Sequence, residues 1–305
     1  MRNAFIDELV LLAEQNSNIA LVVGDLGYSV VEPFAERFPD RFINAGVAEQ
    51  NMTGLAAGMA SEGFHVFTYS IANFPTFRCA EQIRNDVAYH NLPVTIVAVG
   101  GGLGYGALGY SHHAVQDYAF FRTLPNMLIA APGDPMEVRA CLRYLAKHPQ
   151  PSYLRLGKAG EPIFHKEPPV VSPGKWVKVS GDTHVKNSEA AILTTGGTLQ
   201  IAMENIKSDA NLDVFTLPLW GMESKIDQPL QVKNFEKITT MEDHLIDGGF
   251  GSWMLESLLD KAELLGRVEL KALHPRICGT VGAQKELNRY GGIALKVDDV
   301  LSLLD

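Results

Sequence analysis

Three groups of residues in this sequence have the types and spacing to do chemistry. The first is Glu49, the one acid in the opening turn of a helix that follows the short apolar run at Phe42 and Ile43 and a turn at Gly46. The helix behind it is rich in small residues: Gly54, Ala56, Ala57, Gly58, Ala60 and Ser61. Gly54 and Gly58 lie four apart and share a face. Each glycine costs a helix about 1 kcal/mol relative to alanine, so a compensating contact is expected. Close approach of another backbone would supply it, which places this helix at a subunit contact and offers Glu49 to a ligand bound there. A surface carboxylate on a tightly packed core helix is the plainer alternative.

The second group is the glycine-rich run Gly100 to Gly109, followed by Tyr110, Ser111, His112 and His113. A dinucleotide-binding fingerprint needs a strand, a tight turn and a helix N-terminus for the pyrophosphate, and no helix pattern opens at the required glycine. A loop that carries a histidine to the C-terminal end of a sheet fits better. Adjacent histidines on a regular element cannot both face one site, so one of the two is structural. Imidazoles side by side can also bind metal, but no carboxylate or cysteine stands at ligand spacing. The third group is Phe74 and Phe77, three apart at the start of a helix. They serve either core packing or a pocket for a flat heterocycle, and spacing alone does not separate the two.

These residues need elements to hold them. Helical apolar spacing runs from Ala4 to Gln15, and strands are expected at 19–23, 64–69, 94–99, 126–130 and 152–156. A helix is expected over 75–91. Another spans 136–147, with Asp134 as its N-cap and Pro135 in its first position. Strands alternating with helices imply a mostly parallel sheet covered on both faces. Near Glu161 the pattern lapses, with Pro162, Pro168, Pro169 and Pro173 marking a linker. A second series follows, with strands at 190–194, 213–217, 237–241 and 267–270 and helices at 200–206 and 251–264. The expected fold is therefore α/β, with two doubly wound domains at 1–165 and 188–305 joined by a linker at 166–187.

The totals set limits on function. A length of 305 residues suits two domains with ample cores. The net charge of -9 argues against a general affinity for nucleic acid. No apolar run reaches the roughly 20 residues that span a bilayer, and the acids Asp7 and Glu8 interrupt the start of the chain as no signal-peptide core would. The 3 cysteines, Cys79, Cys141 and Cys278, are widely spaced and odd in number, unlike a disulfide framework. A cytoplasmic protein, associated with neither membrane nor nucleic acid, is expected.

Several ordered motifs resemble the pyrimidine-binding domain of transketolases: NAGVAEQNM at 44–52, EQIRNDVAY at 81–89, SHHAVQD at 111–117, LPNM at 124–127 and APGD at 131–134. ILTTGG at 192–197 and EDHLIDGGFGS at 242–252 resemble the transketolase C-terminal domain. The superfamily includes 1-deoxyxylulose-5-phosphate synthase and the β subunits of 2-oxoacid dehydrogenases, which are the rival readings. The Gly-Asp-Gly motif that holds metal and diphosphate in full-length members is absent, because Asp25, Asp134 and Asp182 follow glycine but precede Leu26, Pro135 and Thr183. The resemblance therefore implies the C-terminal subunit of a split, thiamine-diphosphate-dependent transketolase. An N-terminal transketolase subunit would supply the diphosphate-binding domain and the ligands for Mg²⁺ or Ca²⁺, in an α2β2 assembly.

The resemblance also assigns roles. Glu49 hydrogen-bonds N1′ of the cofactor's aminopyrimidine and activates it, so that a two-carbon ketol unit passes from a ketose, as sugar or sugar phosphate, to an aldehyde. Asp25, Phe74 and Phe77 belong to the cofactor pocket. His112, rather than His113, falls at the histidine that meets substrate oxygens, and Arg2 and Ser29 fall where the phosphate end of the sugar is held. Three positions depart from the family. Leu108 replaces an acid that reads a substrate hydroxyl, Gly100 replaces a phosphate-binding histidine, and Lys158 replaces a phosphate-binding arginine, keeping the charge without the bidentate fork.

Overall fold

The computed structural model describes residues 1–180, 189–205 and 212–294. The first half builds β1 (Ile19–Val23), β2 (Phe42–Asn44), β3 (His65–Ile71), β4 (Val94–Val99), β5 (Leu128–Ala130) and β6 (Ser152–Leu156). The second half builds β7 (Val177–Ser180), β8 (Ala190–Thr194), β9 (Leu212–Thr216), β10 (Leu219–Trp220), β11 (Lys237–Leu245) and β12 (Val268–Leu273). They form a 7-stranded sheet in the order β10-β5-β6-β4-β3-β1-β2 and a 5-stranded sheet in the order β12-β11-β8-β9-β7. All pairings are parallel except β10 on β5 and β7 on β9.

The strands alternate between two cores. Val22, Val66, Ile96 and Ala98 point to the face covered by helix Glu49–Ser61. Leu21, Val23, Phe67 and Val97 point to the face covered by helices Arg2–Gln15 and Pro135–Lys147. Burial on both faces is why these strands read as unbroken apolar runs rather than alternating ones. Phe5 and Leu9 are fully buried on the N-terminal helix, each contributing about 1.5–3 kcal/mol.

The second half reaches into the first sheet. Leu219 and Trp220 pair antiparallel with Ala130 and Ile129 and become its edge strand. Tyr118, Ile129 and Trp220 share one core with Leu193, Phe250 and Trp253. Beside them, buried Arg155 on β6 binds Asp117 through Nε (2.7 Å) and Asp243 on β11 through Nη1 (2.5 Å). Its guanidinium lies 4.4 Å from the centroid of the Tyr118 ring. The backbone gives way around this network, since a Cβ on Gly102, at φ 61°, would collide with Asp243.

Asp134 caps its helix as expected, accepting from Glu137 N at 2.7 Å, with Pro135 as the first residue. Three other segments depart from the sequence pattern. The helix expected over 75–91 is divided into Asn73–Arg78, Ala80–Gln82 and a π-helical turn Ile83–Ala88. Tyr89 N reaches back five residues to Arg84 O, and the wider turn keeps Ile83 and Val87 in the core. The helix expected over 251–264 stops after Phe250–Glu256 and resumes at Ala262–Leu265. There Ser257 Oγ donates to Met254 O at 2.5 Å, a side-chain competitor for the helical ladder. Within the stretch expected to be a linker, 177–180 form β7, while 181–187 lie outside the described residues. The helix expected over 200–206 spans Thr198–Asn205, and residue 206 lies outside them.

Candidate active site

The C-terminal ends of β1, β2, β3, β4 and β6 converge on one edge of the first sheet, where parallel α/β sheets place their sites. Gly46 at φ 74° makes the turn out of β2 into helix Glu49–Ser61. That turn carries Glu49 inward, to 4% exposure, rather than onto the surface. The plainer alternative of a solvated carboxylate is thereby excluded. Arg78 Nη1 donates to Glu49 Oε1 at 2.9 Å. The same guanidinium lies 4.1 Å from the centroid of the Phe74 ring. The half-exposed Arg78 guanidinium thus rests on the Phe74 ring with one N–H on the buried Glu49 carboxylate.

His112 meets this group edge-on, with its ring centroid 5.1 Å from that of Phe74. Asn73 Nδ2 donates to Ser111 O at 2.8 Å and ties the histidine loop to the start of the Phe74 helix. Ser111 Oγ sits 3.0 Å from His112 Nδ1 and helps fix the ring. Burial lowers the His112 pKa, and the charges of Arg78 and His113 lower it further, so the neutral imidazole prevails at pH 7. His113 points away and is buried, with Nε2 3.2 Å from Gly106 O. The pair therefore divides into one histidine facing the site and one holding the loop.

Asp25 ends the β1 turn at φ 55°, accepting from Asn44 Nδ2 at 2.9 Å and Tyr28 OH at 3.1 Å, and both bonds hold its carboxyl below the usual range. Ser29, at φ 63°, closes the same turn by donating its backbone N–H to Glu32 Oε1 at 2.7 Å. Arg2 lies at the start of the N-terminal helix, with its Nε buried and unpartnered. Lys158, just beyond β6, is exposed and holds its Nζ 5.3 Å from the Tyr105 ring centroid. Beside Lys158 a cavity of about 250 Å³ opens between the two halves, with Gln200 and Gln284 in its wall. Phe77 does not join Phe74. It is 51% exposed and lines a shallow outer groove with Asn73, Tyr110 and Phe120.

Two residues at this edge carry no obvious signal in the sequence. Arg78 is one, although its position four after Phe74 on a helix is the spacing of a stacked pair. Tyr105 is the other. A second cluster, Asp134, Glu137 and His165, brings its ligand atoms within 4.8 Å of one another. Asp134 Oδ2 already accepts from Phe164 N (2.8 Å), His165 N (2.9 Å) and His165 Nδ1 (3.1 Å), so it anchors the chain after β6 rather than offering a lone pair to a metal.

Residues 1–160 match the family model described as "Transketolase, pyrimidine binding domain". The chain is 33% identical over 303 residues to a putative transketolase C-terminal section of Methanocaldococcus jannaschii, covering 96% of this chain and 92% of that protein. It is 32% identical over 266 residues to a 1-deoxy-D-xylulose-5-phosphate synthase of Clostridium perfringens, but spans only 41% of that protein's length. Among solved structures it is similar to one described as "Split gene transketolase, inactive beta4 tetramer", with TM-score 0.83, 28% identity and coverage of 99% of this chain and 97% of that one.

Proposed function

The chain belongs to the transketolase family, and we propose that it is the subunit of a split, thiamine-diphosphate-dependent transketolase that carries the pyrimidine-binding and C-terminal domains. In this reading it transfers a two-carbon ketol unit from a ketose, as sugar phosphate, to an aldehyde. The N-terminal subunit of an α2β2 assembly contributes the diphosphate-binding domain and the Mg²⁺ or Ca²⁺ ligands. The length covered in the archaeal C-terminal section and in the split-gene structure supports a chain of this extent working with a partner.

The observation that carries the proposal is the Glu49–Arg78–Phe74 stack. A planar guanidinium resting on Phe74 and donating an N–H to buried Glu49 supports reading this cradle as a seat for a flat, hydrogen-bonding group. An aminopyrimidine has that shape and those bonding needs, so the residues fit it. Thiamine diphosphate, when bound, supplies the nucleophilic carbon that breaks and forms the C–C bond. Glu49 holds a proton at N1′ of the aminopyrimidine, Phe74 lines its pocket, and Asp25 borders it, while the exposed Phe77 stays outside. His112, neutral at pH 7, exchanges hydrogen bonds with substrate oxygens. Arg2, Ser29 and Lys158 face the far end of the sugar.

A second reading is a decarboxylating subunit, of which the 1-deoxyxylulose-5-phosphate synthase-like form, rather than the 2-oxoacid-dehydrogenase-like one, is favoured by the similarity to the clostridial synthase. Co-expression with candidate N-terminal subunits, followed by donor and acceptor screening with thiamine diphosphate and Mg²⁺, separates the two. Ketol transfer that needs both chains is the expected result. CO₂ release from pyruvate without a ketose donor would favour the second reading, and turnover by this chain alone would end the split-enzyme proposal.

A further inference from the structure

We infer that Tyr105 is a specificity-determining residue, which joins Arg2 and Lys158 in reading a phosphate group at the far end of the substrate. The inference rests on the proposed function for the location of the substrate. Its basis is the way the chain turns after β4. Gly100 has φ 79°, and any Cβ there would collide with the Tyr105 ring. The glycine thus lets Tyr105 fold back across the end of the strand and occupy the space a side chain at 100 would fill. Placed there, the ring is half-buried, 6.3 Å from the His112 ring on one side and under the Lys158 ammonium on the other. Arg2 is the third neighbour, since its charge acts on the hydroxyls of both Tyr105 and Tyr69.

Charge then selects the ligand. Among the described residues no carboxylate forms an ion pair with Arg2 or Lys158, and Arg2 Nε is buried without a partner. Arg155, the deeply buried arginine on the same sheet, has two carboxylates. A buried cationic donor without a partner is costly, and an anionic ligand relieves that cost. The loop nearest the ring presents Leu108, which is exposed and apolar, and the acid that shares the cavity wall with Lys158, Glu161, is bound to the Met1 ammonium at 2.7 Å. A guanidinium, an ammonium and a phenol make three separate donors. A phosphate monoester offers three terminal oxygens, a carboxylate only two, and an uncharged polyol leaves both cations unpaired.

The test uses the chain reconstituted with its partner subunit. Calorimetric titration of glycerol 3-phosphate, with glycerol as control, compares wild type with Tyr105→Phe, which keeps the ring and its packing but removes the hydroxyl. Loss of a hydrogen bond to a charged group should weaken glycerol 3-phosphate binding by about tenfold or more. In turnover, the KM for glyceraldehyde 3-phosphate should rise by a similar factor with kcat kept, while both constants for glyceraldehyde stay at wild-type values. Equal affinity of the two proteins for glycerol 3-phosphate, or equal KM changes for both aldehydes, overturns the inference. If no ketol transfer occurs yet Tyr105→Phe still weakens glycerol 3-phosphate binding, the assigned reaction fails and the role of Tyr105 stands.

Discussion

Glu49 and Arg78 touch, but they should respond to substitution in opposite ways. Glu49 is buried with one oxygen on the guanidinium, so Glu49→Gln keeps the shape and removes the transferable proton. In the reconstituted enzyme kcat should fall by about 10²–10⁴, the usual worth of a positioned acid or base, with an unchanged circular dichroism spectrum. Undiminished turnover would remove Glu49 from the mechanism. Arg78 is different, because it lies against the aromatic face and the carboxylate that the cofactor ring would use. Arg78→Met should tighten thiamine diphosphate binding several-fold, measured by quenching of intrinsic fluorescence. Weaker binding would make Arg78 part of the cradle instead of a competitor for it. Glu49 is legible in the sequence because an ordered motif surrounds it. Arg78 is not, because a cation in the last turn of a helix reads as a dipole-compensating surface charge. Tyr105 is hidden for another reason: its position follows from a backbone turn at Gly100, not from periodicity.

At the scale of elements, helix Glu49–Ser61 retains its two glycines on a face with nothing to pack against. Among the described residues, no atom beyond the helix's own backbone and the adjacent residues lies within 4 Å of a Cβ built on Gly54 or Gly58. The close backbone contact that would explain them is therefore not made within the described residues, and the proposed assembly would supply it. Gly58→Leu should leave the isolated chain as stable as wild type, or slightly more so by helix propensity, and abolish association with the partner in light scattering. Intact assembly would show that this face is free. The capped helix Pro135–Lys147 leads to a second prediction. Burial pushes the Glu137 carboxyl up to about 7, and its Oε1 has no hydrogen-bond partner. The folded chain therefore holds a proton there that the unfolded chain releases above its ordinary pKa of 4.5. Stability from this group is present below pH 4.5 and is lost as pH rises to about 7, by at most roughly 3 kcal/mol. Burial also works against the nearby His165 cation, but its hydrogen bond to Asp134 and the charges of Glu137 and Asp134 together outweigh that and raise its pKa, so its contribution has the same sign. Glu137→Gln should gain on wild type in thermal stability between pH 5 and pH 8, and identical profiles would refute the assignment. The Asp134–Pro135 start was legible in sequence. The π-turn at Ile83–Ala88 and the break after Glu256 were not, because each depends on which competing bond the backbone finds in tertiary context.

For the whole molecule, the two-sheet architecture follows from the alternation of elements, but the way the halves are joined does not. Arg155, Asp117 and Asp243 are far apart in sequence, and ordinary charges on two strands and at a helix start give no hint that they will meet in the interior. Breaking one arm leaves buried charge uncompensated, so Asp243→Ala should cost about 3–5 kcal/mol in chemical denaturation. A cost under about 1 kcal/mol, typical of surface pairs, would mean the network is solvated. The strand β10 has a further effect, on how this protein can be recombined. It is encoded in the second half yet closes the first sheet, so a chimera crossing over in the proline-rich stretch after Glu161 exchanges an edge strand along with a domain. Unless the donor's counterpart of Leu219–Trp220 matches Ile129 and Ala130, β5 is left with bare N–H and C=O groups, a template for aggregation. Successful shuffling should therefore inherit β5 and β10 from the same parent, however far apart they lie in the gene.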